Sequence, residues 1–152
     1  MKSNSANFNG FIDGFLINFN RLRLVDWVTI LAAMVMMSTE SELSRAKSAI
    51  IKAGQNAFKI SDRFEENKTS VSYGTMHLAK GLEFRSVVVM ACDEDILPQQ
   101  ERLERVTDSS DLAEVYDTER QLLYVACTRA RDHLLIVGVI PGSEFLEDLK
   151  QF

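Results

Sequence analysis

Val71-Ser-Tyr-Gly-Thr75 and, a short turn later, Ser86-Val-Val-Val-Met-Ala91 are the stretches that decide the fold. The first alternates well enough to read as a strand. The second is apolar at nearly every position, which a strand requires only where both of its faces are covered, as in a parallel sheet. Trp27 to Met36 has the same two-sided character. Asn56 to Ile60 reads as a short strand and His133 to Ile140 as a longer one, closed by Pro141-Gly142. Between them lie helical patterns. Leu43, Ala46, Ala49, Ile50 and Ala53 form one apolar face, preceded by the N-cap candidates Ser38, Thr39 and Ser41 and stopped by Gly54. A second amphipathic run extends from about Asp111 to Ala130, and Ser143 caps a last short helix through Leu149. Asp62 to Thr69 is a charged loop and Asp93 to Pro98 an acidic turn. Strands alternating with helices predict an α/β domain over residues 27–152, with a mainly parallel sheet flanked by helices.

The first 26 residues read differently. Phe8, Phe11, Ile12, Phe15, Phe19 and Leu22 recur at three- and four-residue spacing, which predicts an amphipathic helix or linker segment weakened by Gly10 and Gly14. Its phenylalanines either pack on the domain or face a neighbouring one.

With 152 residues, 46% hydrophobic and 26% charged, the chain is the size of one domain with a substantial core. A net charge of -5 excludes a protein that coats nucleic acid through a broad basic face, so any DNA contact must be local. The two cysteines, Cys92 and Cys127, form no CxxC pair, which suits a reducing compartment and predicts neither a metal site nor a disulfide framework. The start has no apolar signal region, and the longest apolar stretch, Trp27 to Met37, is too short for a bilayer. The expectation is a soluble cytoplasmic protein without a membrane partner.

Two segments carry chemistry. Gly74-Thr-Met-His-Leu-Ala-Lys-Gly-Leu-Glu-Phe84 is a strand end followed by a glycine-containing turn, gathering Thr75, His77, Lys80 and Glu83. Ligands of parallel α/β sheets sit outside the carboxyl ends of strands, so such a turn is a candidate site. Gly81 permits close backbone approach, Lys80 offers a point charge, and Glu83 can accept hydrogen bonds from hydroxyls such as those of a ribose. Glu119-Arg-Gln-Leu-Leu-Tyr-Val-Ala-Cys-Thr-Arg-Ala-Arg131 is a helix with Leu122, Leu123, Val125 and Ala126 on its buried face. Its arginines are either solvated, or Arg129 presents its planar fork of donors to a phosphate.

The two segments resemble motifs V and VI of superfamily 1 helicases of the UvrD/Rep/PcrA type. They stand in that family's order, each with a strand after it, and Ile96-Leu97-Pro98 resembles the loop after the motif V strand. The likeness covers roughly Val28 to Leu149, with Cys127 where the family often has a larger aliphatic residue. It implies the second RecA-like domain of the motor, of the P-loop NTPase type. ATP would then bind in a cleft shared with a first RecA-like domain that supplies the phosphate loop and the Mg²⁺ ligands. Arg129 matches the arginine finger, Glu83 the acid that contacts the sugar and Gly81 its neighbour. Thr75 and His77 match positions near the single-stranded DNA track that are coupled to the nucleotide site, and Lys80 could serve either side. Gln121 and Tyr124 read as structural or coupling residues and Arg131 as a surface ion-pair former. The implied partners are single-stranded or partly duplex DNA and the first domain.

No GxxxxGK[ST] phosphate loop occurs in the sequence. Val87 to Glu94 imitates a magnesium-binding strand ending in Asp-Glu, but its place after motif V makes it a buried strand with an acidic turn. The expected activity is therefore half of an ATP site, with a stand-alone binding module as the alternative.

Overall fold

The computed structural model describes residues 15–17, 33–60 and 70–149. In chain order the elements are β1 (Phe15–Ile17), β2 (Ala33–Met37), α1 (Leu43–Lys52), β3 (Ala57–Lys59), β4 (Val71–Thr75), a 3-10 turn (Met76–Ala79), β5 (Phe84–Val89), α2 (Gln100–Leu103), α3 (Ser109–Cys127), β6 (Ala130–Val139) and α4 (Phe145–Leu149). The strands form one sheet in the order β1-β6-β5-β2-β4-β3. From β6 to β3 every neighbouring pair is parallel, and β1 is added antiparallel along β6.

Alternation along the central strands divides the core into two layers. Ala33, Val35, Met37, Val71 and Tyr73 face α1, where they meet Leu43, Ala46 and Ile50. Met34, Met36, Phe84, Val87 and Val89 face the other way, against Met76 and Ala79 of the 3-10 turn, Leu123 and Ala126 of α3, and Phe145 of α4. This two-sided burial is what the continuous apolar runs of β2 and β5 require. The mainly parallel α/β architecture read from the sequence is the one observed.

Details shift for local reasons. Phe15–Ile17 is a strand paired with Val137–Val139, so the amphipathic-helix reading fails at these residues: the edge of β6 offers unpaired backbone groups, and the backbone of Phe15–Ile17 pairs with them. The other residues of that helix, the first part of the Trp27–Met36 strand and most of the Asp62–Thr69 loop lie outside the described residues. The cap of α1 is Glu42, with no side-chain cap bond, while Thr39 and Ser41 bond each other through their hydroxyls at 2.8 Å. Gly54 ends α1 as expected, in the left-handed region at φ 77°. α3 stops at Cys127 rather than Ala130, because Ala130 is already aligned beside Phe84 in the sheet. Ser143 caps α4 as read, its Oγ accepting from the Phe145 amide at 3.3 Å.

At the carboxyl end of β5 the chain turns sharply. Ala91 is left-handed at φ 58°, an unusual and mildly strained conformation for a residue with a Cβ. It delivers Cys92 and Asp93 against the end of β6, where Cys92 N donates to Val137 O at 3.1 Å and Ser143 N to Cys92 O at 2.9 Å. The two backbones touch at Gly138: a Cβ there would lie 2.5 Å from the Cys92 carbonyl oxygen and 2.8 Å from its carbon. Among the described residues no helix is long and apolar enough to cross a membrane. Gly138→Ala should destabilise the domain by about 1–3 kcal/mol through this overlap, read as a lowered urea midpoint.

Candidate nucleotide-facing edge and its distal turn

Motif residues that are adjacent in sequence lie at opposite ends of the sheet. Thr75 closes β4 at its carboxyl end, level with Met37 of β2. Met36 is level with Val89, so Thr75 stands at the height of Met90. Phe84 starts β5 at the amino end, aligned with Ala130 of β6. From Phe84 to Met90 is six residue steps, or roughly 20 Å of strand. The turn read as one cluster at a carboxyl end is therefore a crossover. Because β5 is parallel to β4, the chain must return along the sheet, and Met76–Glu83 makes that return beneath α3. The carboxyl-end rule holds for Thr75 and fails for Gly81 and Glu83.

Thr75 is buried and His77 exposed on the first part of the crossover; Lys80, Gly81 and Glu83 are all exposed on its last part. Gly81 adopts φ 79°, which a residue with a Cβ rarely does, and nothing in the described structure lies within 4 Å of where that Cβ would be. The glycine is needed for the backbone turn, and the space outside it is open.

Arg129 meets this turn from the other side. α3 delivers it to the amino end of β6, where its carbonyl accepts from Phe84 N at 2.9 Å. Its guanidinium donates from Nε to Val125 O at 3.1 Å, from Nη1 to Leu82 O at 3.5 Å and from Nη2 to Thr128 Oγ1 at 3.2 Å. The first bond satisfies a carbonyl of the last helical turn, a favoured place for a cation. The second ties the arginine to the turn between Gly81 and Glu83. A guanidinium has five N–H donors, so these three bonds leave about two for another acceptor.

The neighbours are mixed in charge. Arg85 holds Asp132 at 2.8 Å, which keeps the Asp132 carboxyl below the usual range. Arg131 is exposed and, contrary to expectation, forms no ion pair within 4.0 Å among the described residues, although its charge helps to keep Asp132 ionised. Gln121 and Tyr124 are both exposed on the outer face of α3, Tyr124 to 68%. Cys127 packs half-buried against the core on the α3 side, and burial pushes its thiol up to about 11.

Asp93, the residue that imitates a magnesium ligand, is a structural anchor. One carboxylate oxygen accepts from Val139 N and the other from Arg45 Nη1 at 2.8 Å, while Arg45 also bridges to Glu42 at 2.7 Å. Each oxygen thus holds a different element, β6 on one side and α1 on the other. The sequence reading missed this network and also missed Glu119, fully buried on α3 and ion-paired with Arg102. Its signal was available: Tyr116, Glu119, Leu123 and Ala126 recur at helical spacing, and an acid on an apolar stripe calls for a partner.

Five parallel strands flanked by helices give the chain an α/β fold of the RecA-like class. The family model of the UvrD-like helicase C-terminal domain matches residues 23–139, well over half of the chain. The chain belongs to that family. It is 41% identical over 77 residues to the ATP-dependent DNA helicase PcrA of Leuconostoc citreum, a match covering 51% of this chain and 9% of that protein. It is 38% identical over 81 residues to the ATP-dependent DNA helicase UvrD1 of Mycobacterium leprae, covering 53% of this chain and 10% of the relative. The matched segment is thus about a tenth of each relative's length. In fold, the chain is similar to the crystal structure of the C-terminal domain of a possible DNA helicase from Lactobacillus plantarum, with a TM-score of 0.51 and 24% identity, covering 76% of this chain and 61% of that one.

Replacing Asp93 by Ala leaves the Val139 amide without this acceptor and removes one of the partners of Arg45, which keeps Glu42. The expected loss is about 2–3 kcal/mol in urea unfolding, without a change in the slope that would signal a different fold.

Proposed function

We propose that this chain is the second RecA-like domain of an ATP-dependent DNA helicase or translocase, completing an ATP site founded by a first RecA-like domain. The observation that carries this reading is the junction at the amino edge of the sheet. There the exposed turn Gly81–Glu83 and the Arg129 side chain are joined through Leu82 O, with guanidinium donors left over. An exposed glycine turn lets a nucleotide lie close to the backbone, Glu83 accepts from ribose hydroxyls, and Arg129 stabilises charge on the γ-phosphoryl group as it is transferred. In phosphoryl-transfer enzymes such fingers are worth roughly 10³ to 10⁵ in rate. The absence of a phosphate loop from the sequence, and an Asp93 carboxylate used as an anchor between β6 and α1, support Mg²⁺ ligands on the first domain. Mg²⁺ would supply charge neutralisation at the phosphates.

At the opposite end of the sheet, the exposed His77, with the buried Thr75 beside it, would lie near the single-stranded DNA track and couple it to the nucleotide site, and Lys80, on the crossover between the two ends, can serve either. The net charge of -5 implies poor DNA affinity for this chain alone.

Mixing the chain with a separately expressed first RecA-like domain tests the reading. The chain alone should hydrolyse no ATP above background. The mixture should show hydrolysis stimulated by single-stranded DNA, and Arg129→Ala should lower it by roughly 10³-fold. Robust hydrolysis by the chain alone, lost in Arg129→Ala, would sink the half-site account. Failure of any first domain to restore turnover would favour the stand-alone binding module.

A further inference from the structure

One buried charge belongs to neither end of the sheet. Glu119 is fully buried on the inward stripe of α3, and among the described residues only one of its oxygens is used: Oε1 accepts from Arg102 Nη1, while Oε2 has no hydrogen-bond partner there. A buried carboxylate held by a single half-exposed arginine is a poor source of stability, and an apolar side chain would fill the position at least as well. The charge is better explained by what it holds in place.

Arg102 ends the segment that leaves β5 at its carboxyl end. That segment is tied first through Asp93 to β6 and α1, then through Gln99 Nε2 to Ser38 O at 2.9 Å at the end of β2. The Arg102–Glu119 pair is the tie that runs to α3. From Glu119 the helix continues for eight residues to Cys127, roughly 12 Å, and Arg129 follows at the amino edge. One rigid helix therefore touches the segment across one end of the sheet and delivers the arginine at the other.

We propose that Glu119 is a positioning residue of the motor. Through Arg102 it fixes the Asp93–Leu103 segment at the carboxyl end to the helix that sets Arg129, so that a displacement at the DNA end reaches the nucleotide end. This rests on the function proposed above. Glu119 touches neither ligand.

The test uses Glu119→Gln in the assembled motor. The ratio of DNA-stimulated to unstimulated ATP turnover should fall at least about fivefold, with unstimulated turnover and the KM for ATP within about twofold of the parent. Arg102→Gln should do the same, Arg102→Lys should keep most of the stimulation, and the double Gln variant should be no worse than either single one. Unchanged stimulation, or single losses that multiply in the double variant, would overturn the proposal. Should Glu119→Gln not fold, the Arg102 pair of variants at its half-exposed position reads the same link.

A measurement on the 152-residue chain separates this proposal from the function beneath it. In Glu119→Gln, amide hydrogen exchange should quicken at Leu103, Glu104 and Val106 and also at Thr128 and Arg129, while β2 stays protected. No change, a change confined to the Arg102 side, or uniform quickening would each refute the link. If the unaltered motor shows no DNA-stimulated turnover, the function reading fails and the exchange pattern alone decides the part played by Glu119.

Discussion

The alignment of β5 with β6, beginning at Phe84 beside Ala130, is the constraint on which the candidate site depends. It is closed by the hydrogen bond from Phe84 N to Arg129 O, and it brings the last residues of one motif against the last residues of the other. Parallel neighbours cannot be joined by a tight turn, so the chain between them has to travel the length of the sheet and return. α3 makes that return. Its position is set by burial of Leu123 and Ala126 against the 3-10 turn and β5, and its length sets where Arg129 emerges. The amino edge of the sheet thereby becomes an exposed surface, with Gly81, Glu83 and Arg131 around a half-buried Arg129.

The other end of the same pair is held by close backbone contact and charge. Gly138 lets the Cys92 carbonyl approach, Ala91 turns the chain towards it, and Asp93 ties Val139 to Arg45 of α1. The Asp93-Glu94 pair after an apolar strand, which looks functional by composition, is thus part of how the carboxyl end is fastened. Charge in this domain divides by burial. The buried carboxylates Asp93 and Glu119 hold segments together, while the exposed Glu83 has no such task. Exposure separates the group free to meet a ligand from those already committed, a distinction that residue type alone does not make.

Much of the architecture was legible in the sequence because its signals are local. Continuous apolar runs in β2 and β5 demand two covered faces, the spacing of Leu43, Ala46 and Ile50 gives α1 its buried side, and Gly54 ends that helix through its left-handed backbone. The reading failed at Phe15–Ile17, where an open sheet edge outweighed helical periodicity, and at the end of α3, where sheet alignment took Ala130. Motif residues were found by type and order. Their distribution over two ends of the sheet was not, since nothing local in Met76–Glu83 states that the turn must become a crossover.

By itself the sequence determined the class of fold, the family likeness of its two motifs and the lack of a phosphate loop, all of which depend on residue identity and short-range spacing. Only the tertiary structure decided that Gly81, Glu83 and Arg129 share an edge while Thr75 stands at the other end, that Arg129 leans on Leu82, and that Asp93 and Glu119 are committed inside the fold. The physical reason is the same in each case. These relations are made between segments tens of residues apart, and they follow from strand order and register, which short-range pattern does not encode.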